Sequence, residues 1–144
     1  METKMPVTKE KTEKNDGRYT EAVGRRKTAS ARVRITPASK NSFKVNGRDL
    51  ASYFPTAELR KIVEEATAKL KEGTFEITIH VKGGGIHSQA EAVRHGIART
   101  LVKYDDSTKT KMKTAGFLKR DPRSKERRKF GLKKARKSPQ WSKR

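Results

Sequence analysis

The sequence contains no cysteine, which excludes disulfide bonds and thiolate metal sites. It also lacks long apolar runs, and none approaches the roughly 20 residues that a membrane span requires. Only 31% of the residues are apolar and 6% are aromatic, so a small core can form, but not along the whole chain. These absences leave one domain of ordinary size with polar segments attached, and no contact with a membrane is expected.

The first residues, METKMPVTKEKTEKND, have no apolar centre and include four acidic side chains. Such a composition is untypical of a secretory signal or a transit peptide. Because residues 1–18 are polar and nearly free of aromatics, we expect them to form a disordered leader, with order beginning near Tyr19.

Positive charge dominates the composition, with 37 Lys and Arg residues against 16 Asp and Glu residues and a net charge of +21. The last 26 residues hold 13 of the basic residues and only two of the acidic ones. A surface of this kind repels itself unless a polyanion neutralises it. We therefore expect a leader over residues 1–18, a globular α/β RNA-binding domain over 19–118, and an extended basic tail over 119–144.

Period-two alternation identifies the strands. In ASARVRIT and FEITIHVK every second residue is apolar, which predicts half-buried strands near residues 29–36 and 75–82. The preceding TEAVGRRK is expected to be a strand in which Gly24 marks a bend or bulge. Asn46-Gly47 predicts a tight hairpin turn with positive φ angles.

Two longer segments have helical spacing. The first is predicted to begin after Thr56 and to end by Gly73, with a stripe of apolar residues: Leu59, Ile62, Val63, Ala66 and Leu70. The second has its own apolar stripe: Ile86, Ala90, Val93, Ile97 and Leu101. Another face of this helix carries polar residues four apart: Glu91, His95, Arg99 and Lys103. Asp105 is expected to cap one more short helix. The order strands, hairpin, helix, strand, helix favours an α/β two-layer sandwich with helices on one face of the sheet.

The stretch VKGGGIHSQ places three glycines between a strand and a helix. Such a turn can hold a phosphate on backbone N–H groups and the helix N-terminus, or it can simply supply positive φ angles. It matches neither a P-loop nor the spaced glycines of a dinucleotide site. Both interpretations stay open at the level of sequence.

Catalytic and metal-binding patterns are weak. The spacing of His80, His87 and His95 does not suggest a zinc site. No serine and candidate base have a sequence spacing that indicates a catalytic pair. The acidic pairs Glu64-Glu65 and Asp105-Asp106 are interpreted as solvated helix charges. We therefore predict no catalysis, no cofactor, no metal and no small-molecule substrate.

The stretch GRRKTASARVR is predicted to face RNA. Arg25, Arg26 and Lys27 are expected to form a loop cluster, while Arg32 and Arg34 share the outward face of the next strand. An ordinary wet sheet face mixes charge signs, yet no acidic residue occurs between Gly24 and Asp49. In the tail, isolated aromatics among Arg and Lys suit stacking on bases and binding of phosphate, although a charge run can also be a solubilising tail.

Four separated stretches carry a resemblance to a known family: TEAVGRRKTASARVRI, VNGRDLASYFP, VKGGGIHSQAEAVRHGIARTL and AGFLKRDPRSKERRKFGLKKARKSPQWSKR. Together they resemble the bacterial-type ribosomal protein S-nine family of the small subunit. The resemblance implies an S-five domain-two-like fold with a mixed sheet and helices on one face. It also implies a place in the head of the small subunit, in cytoplasmic ribosomes.

The resemblance further implies which partners and residues take part. The partners are small-subunit ribosomal RNA, other head proteins and the P-site tRNA, with the tip of the tail on the tRNA backbone: Ser142, Lys143 and Arg144. The expected ribosomal RNA contacts in the domain are Arg25, Arg26, Lys27, Arg32, Arg34, Lys82, Gly83, Gly84, Gly85, His87, Gln89, Arg94, His95 and Arg99. Those in the tail are Arg120, Arg123, Arg127, Arg128, Lys129, Lys133, Lys134, Arg136 and Lys137.

Two other classes of function compete with this hypothesis. A phosphate-handling enzyme would use VKGGGIHS as its nucleotide loop, but no Lys follows the loop and no acidic residue that could hold magnesium occurs until Glu91. A nonspecific DNA-compacting protein would explain the charge, but not the glycine turn or the tail.

Overall fold

The computed structural model describes residues 19–70 and 73–143. Its strands are β1 (Thr20–Arg26), β2 (Ala29–Pro37), β3 (Ser42–Val45), β4 (Arg48–Asp49) and β5 (Phe75–Lys82). Its helices are α1 (Leu50–Tyr53), α2 (Ala57–Ala68), α3 (Ile86–Tyr104) and α4 (Lys109–Thr114), with a 3-10 turn (Asp106–Thr108) ahead of α4. The predicted leader lies outside the described residues.

The five strands form one mixed sheet in the order β1-β2-β5-β3-β4. β1, β2 and β5 are antiparallel neighbours, whereas β3 runs parallel to β5. The predicted alternation in β2 and β5 is confirmed, because their alternate residues are buried on one face: Ala29, Ala31, Val33, Ile35, Phe75, Ile77, Ile79 and Val81. These residues form the sheet side of the core.

Gly24 lets a helix pack directly onto β1. A Cβ atom at Gly24 would lie 1.9 Å from the Ala92 carbonyl oxygen and 2.3 Å from the Gly96 nitrogen, both on α3. The register of β1 with β2 runs without interruption through the pair Gly24 and Ala31. The prediction of a bend or bulge is therefore wrong, and the glycine is required by the close approach of two backbones.

The predicted hairpin turn is confirmed, with φ of 48° at Asn46 and 77° at Gly47. The Asn46 side chain also binds the backbone of Val81 on β5: its amide donates to the carbonyl at 2.9 Å and its oxygen accepts from the N–H at 3.0 Å. Asn46 thus joins the turn to the central strand.

The helices agree with the predicted stripes in most positions. In α2, Leu59, Val63 and Ala66 are buried, but the helix ends at Ala68, before Gly73. Thr56 occupies the N-cap position without a capping side-chain bond. The remaining members of the two stripes lie as follows: Ala90, Val93, Ile97 and Leu101 are buried, Ile62 and Leu70 are partly buried, and Ile86 is exposed.

The prediction that Ile86 belongs to the buried stripe is wrong, because Ile86 is the first residue of α3. Helical side chains tilt toward the N-terminus, so the first one projects past the end of the helix.

The cap at Asp105 is confirmed, because its carboxylate accepts the Ser107 N–H at 3.0 Å. Hydrogen bonds from Ser107 hold the pKa of Asp105 below its usual range.

Candidate nucleic-acid interface

The hairpin between β1 and β2 places its basic residues differently from the predicted loop cluster. Arg25 and Arg26 are the last residues of β1, and only Lys27, with φ of 51°, lies in the turn. Because neighbours in a strand point to opposite faces, Arg25 is exposed and Arg26 is buried. The three residues therefore do not act as one cluster.

Arg26 ties three parts of the chain together. Its Nε donates to Glu91 Oε2 on α3 at 2.9 Å, and its Nη2 lies 3.4 Å from Asp121 Oδ2. Its Nη1 donates to the carbonyl oxygen of Arg123. The side chain is only 11% exposed, so its charge is used within the protein to fix the start of the tail against β1 and α3.

Side chains of α3 cover the outer edge of β1. Three residues spaced four apart reach it: His95, Arg99 and Lys103. His95 Nδ1 accepts the Arg25 N–H at 3.2 Å, Arg99 donates to the Val23 carbonyl, and Lys103 donates to the Glu21 carbonyl at 3.4 Å. The four-residue spacing was visible in the sequence, but its target on a distant strand was not. His95 and Arg99 thus have structural partners in addition to any contact with RNA.

His95 holds both β1 and the segment that leads into the tail. Because Nδ1 accepts from Arg25, the proton resides on Nε2, which donates to the Leu118 carbonyl at 3.3 Å. Burial lowers the pKa of His95, and the positive charges of Arg99 and Arg120 add to this effect, although the hydrogen bond to Leu118 opposes it. The imidazole is therefore neutral at pH 7.

A cleft of about 450 Å³ lies where β1, α3 and the start of the tail meet. Its lining includes five basic residues besides Arg26: Arg25, Arg94, Lys119, Arg120 and Arg123. Of the two acids in the lining, Glu91 is paired with Arg26 and Asp121 with Arg123. In the described part of the chain, Arg25, Lys119 and Arg120 have no acidic partner. The cleft is consequently suited to an anion.

Arg94 connects the cleft to α2. Its guanidinium binds Glu65 at 2.7 Å and lies 5.1 Å from the centre of the Phe117 ring. One cation thus braces α2, α3 and the segment before the tail.

The outward face of the sheet mixes charge signs through neighbouring strands. Arg34 binds Glu21, which stands opposite it on β1, at 2.6 Å and also stacks over the Tyr19 ring. The absence of acids along β2 itself did not reveal this partner. Arg32, by contrast, is exposed and stands opposite His80 without an acidic partner in the described residues.

The glycine turn after β5 closes on the protein's own backbone. Gly83 and Gly84 have φ of 76° and 66°, and a Cβ at Gly83 would lie 2.6 Å from the Thr28 carbonyl oxygen. Gln89 donates to the Gly83 carbonyl at 3.1 Å and accepts from the Tyr53 hydroxyl at 2.8 Å. The turn therefore needs glycine for structural reasons.

The surface around this turn stays open. Gly85 has empty space around it, and Lys82 and His87 are exposed. His87 Nδ1 lies 3.7 Å from Glu91. These positions form the part of the glycine motif that a partner can reach.

The described part of the tail, residues 119–143, contains no helix or strand. It begins with a turn in which Arg123 binds Asp121 through its N–H at 2.9 Å and its guanidinium at 2.8 Å. These bonds hold the pKa of Asp121 well below its usual range and raise that of Arg123. The start of the tail is therefore ordered by its own residues as well as by Arg26.

A second feature of the tail is a closed loop from Glu126 to Lys137, which we call the tail loop. Arg136 Nε binds Glu126 Oε2 at 2.8 Å, and the Lys133 N–H donates to the Lys137 carbonyl at 2.8 Å. Arg128 donates to the Lys133 carbonyl at 2.7 Å. All the predicted basic contacts of this region are exposed on or beside this loop: Arg127, Arg128, Lys129, Lys133, Lys134, Arg136 and Lys137.

Beyond the tail loop the chain exposes Trp141, Ser142 and Lys143. The predicted contact Arg144 lies outside the described residues. The cleft and the tail loop thus form two basic surfaces joined by a short stretch of chain, with the tip of the tail beyond them.

Across residues 19–70 and 73–143, no group of three acidic or histidine residues could hold a metal ion. No helix in the same residues is long and apolar enough to cross a bilayer.

An α/β domain with a basic cleft and an exposed basic tail defines a protein that binds a polyanion. The sequence identifies the polyanion, because residues 24–144 match the family model of ribosomal protein S9/S16. The chain belongs to this family. It is a structural protein of the small ribosomal subunit, where it binds ribosomal RNA alongside other ribosomal proteins. The mixed sheet and its helices agree with the ribosomal S5 domain 2-like fold of the family.

Proposed function

We propose that this protein is a bacterial-type member of the family in the head of the small subunit of cytoplasmic ribosomes, where its tail reaches the P-site tRNA. In this proposal residues 19–118 form the domain that lies on ribosomal RNA, and residues 119–144 form the tail that runs into RNA. It has no catalytic role.

The charge state of the tail carries the proposal. Both acidic residues of the tail are paired with arginines, Asp121 with Arg123 and Glu126 with Arg136, each at 2.8 Å. No carboxylate side chain within residues 119–143 is left to repel phosphate. The uncompensated charge of the tail is therefore positive along its length, as a segment lying among RNA phosphates requires.

The domain continues this basic surface. Arg25, Lys119 and Arg120 line the cleft at the root of the tail, and Arg32 extends the same character onto the sheet face. We propose direct phosphate contacts for these residues. The role of Arg26 is indirect, because its guanidinium orients the tail.

The tip of the tail supports contact with tRNA. Ser142 and Lys143 are exposed, and Arg144 follows them in the sequence. Hydroxyl, ammonium and guanidinium groups bind phosphate oxygens, and such contacts position a nucleic acid without reading its sequence. One tip can therefore hold any tRNA in the P site.

Deletion of residues 142–144 tests the proposal. Subunits reconstituted with the shortened chain should assemble normally and bind P-site tRNA more weakly. Loss of assembly would instead assign the tip to the subunit's architecture and overturn its role on tRNA.

A charge-matched pair of variants sharpens this test. Lys143→Gln with Arg144→Gln should lower the magnitude of the log–log salt slope for P-site tRNA binding by about 1.4–1.8, at roughly 0.7–0.9 per phosphate contact. Lys111→Gln with Lys113→Gln removes the same charge from α4 and should leave the slope unchanged. Equal effects of the two pairs would show that only the total charge matters.

A further inference from the structure

The tail loop holds one large apolar side chain entirely in solvent. Phe130 is fully exposed, whereas Leu132, two residues later, is partly buried. The loop therefore covers one of its two apolar side chains and leaves the other without any neighbour. Full exposure of an aromatic ring is unfavourable in water unless a partner covers it.

The loop also fixes where the ring stands. Gly131, with φ of 76°, turns the chain directly after Phe130. The pair of Arg136 with Glu126 and the hydrogen bond from the Lys133 N–H to the Lys137 carbonyl close the loop, so the ring lies within a turn that the chain's own residues hold. A turn held in this way reduces the entropy lost on binding.

The charges around the ring select the partner's chemistry. Exposed cations flank Phe130 on both sides in sequence: Arg127, Arg128, Lys129, Lys133 and Lys134. The single acid of the loop, Glu126, is already bound by Arg136. An apolar protein surface would have to bury these charges, whereas an RNA strand supplies phosphates for the cations and a flat base for the ring.

We propose that Phe130 stacks on an unpaired base of the small-subunit ribosomal RNA and fixes the position of the tail loop along the RNA. The neighbouring cations bind phosphates without distinguishing one position from the next, whereas a stacked ring requires a base that is free of a duplex. The inference rests on the proposed binding of the tail to ribosomal RNA, and it adds the ring as the contact that sets the register.

The test measures binding of full-length variants to small-subunit ribosomal RNA transcribed in vitro. Phe130→Ala should weaken binding by about 5- to 150-fold, the range that loss of one stacked base produces, with an unchanged salt slope because no charge is removed. Phe130→Tyr should restore the affinity, and Phe130→Leu should not, because leucine is apolar but cannot stack. Since the side chain packs against nothing, the free energy of unfolding should be the same in all three variants.

Chemical probing of the RNA identifies the base. One unpaired nucleotide should gain reactivity with Phe130→Ala and regain protection with Phe130→Tyr. If Phe130→Leu restores affinity as well as tyrosine does, or if Phe130→Ala weakens binding only when other ribosomal proteins are present, the ring packs against an apolar surface and the stacking proposal is wrong.

A second pair of variants separates this inference from the proposed function. Arg127→Gln with Lys134→Gln, which removes two exposed charges and leaves the Arg128 bond that holds the loop, should lower both the affinity and the magnitude of the salt slope. If this pair weakens binding while Phe130→Ala has no effect, the tail binds ribosomal RNA through its charges and the proposed stacking of Phe130 is wrong. If neither has an effect, the binding of the tail to ribosomal RNA is wrong as well.

Discussion

Replacing Arg26 with methionine is expected to release the root of the tail from the domain. The guanidinium of Arg26 binds Glu91, Asp121 and the carbonyl oxygen of Arg123. Methionine keeps an apolar stem of similar length, so the packing along the stem is retained while all three polar contacts are lost.

The expected loss follows from the exposure of the groups involved. The side chains of Glu91 and Asp121 are 21% and 30% exposed, so water partly compensates both carboxylates once Arg26 is gone. The cost therefore lies above that of an exposed ion pair and below that of a fully buried one, at about 1–2 kcal/mol. This free energy raises the population of the released tail by about 5- to 30-fold.

Limited trypsin digestion measures this population. The Arg123 carbonyl that accepts the bond from Arg26 belongs to the peptide bond between Arg123 and Ser124, so we expect trypsin to cut this bond only after release. When opening and closing are fast, the initial rate of cleavage at this bond follows the open population and should rise by the same 5- to 30-fold. Cleavage after Lys129, in the exposed tail loop, serves as the internal reference and should not change.

Arg32→Met is the matched control, because Arg32 is exposed and has no acidic partner in the described residues. It removes the same charge at a distance from the tail root and should leave cleavage after Arg123 unchanged. If Arg26→Met also leaves this rate unchanged, the three contacts do not hold the tail and the reasoning is refuted.

Three further predictions concern the domain. Gly24→Ala should lower the free energy of unfolding by about 3 kcal/mol, because its Cβ would overlap the backbone of α3. Gly85→Ala has open space around it but replaces the N-cap of α3, where alanine is disfavoured, so it should cost only about 1 kcal/mol in the same denaturant titration. Asn46→Ala should cost about 1–3 kcal/mol by removing two bonds to β5 and a residue suited to positive φ, and a loss below about 0.3 kcal/mol would contradict this. Folding lowers the pKa of His95, so the stabilisation that its neutral ring provides is complete above about pH 6.5. This stabilisation should decrease as the pH falls below that value, because the protonated ring cannot accept the Arg25 N–H. His95→Gln should flatten that part of the pH profile of unfolding, and an unaltered profile would refute the assignment.

Local patterns in the sequence were sufficient for most of the fold. Alternation in β5 and the spacing of apolar residues in α3 predicted both the elements and their buried faces, because these depend on neighbours along the chain. The turn at Asn46 and Gly47 was predictable for the same reason. The four-residue helix α1 was missed, since one turn is too short to show a period.

Features that depend on distant residues could not be predicted. Gly24 was noted as unusual, but only the packing of α3 explains it. Likewise, the absence of acids near Arg34 suggested a free cation, yet Glu21 reaches it across the sheet. For the site, the sequence indicated the positive charge of residues 119–144, but it gave no sign that Arg26 faces inward and binds the start of this segment.

The covering of β1 by His95, Arg99 and Lys103 has a consequence for the chain before it meets RNA. The sheet has two outer strands, and an outer strand with free N–H and C=O groups invites strands of other molecules to add to it. Here the side chains of α3 occupy three backbone groups of one edge, and the strand at the other edge, β4, is only two residues long. Newly synthesised protein that has not yet bound RNA is therefore protected from aggregation through pairing of sheet edges between molecules.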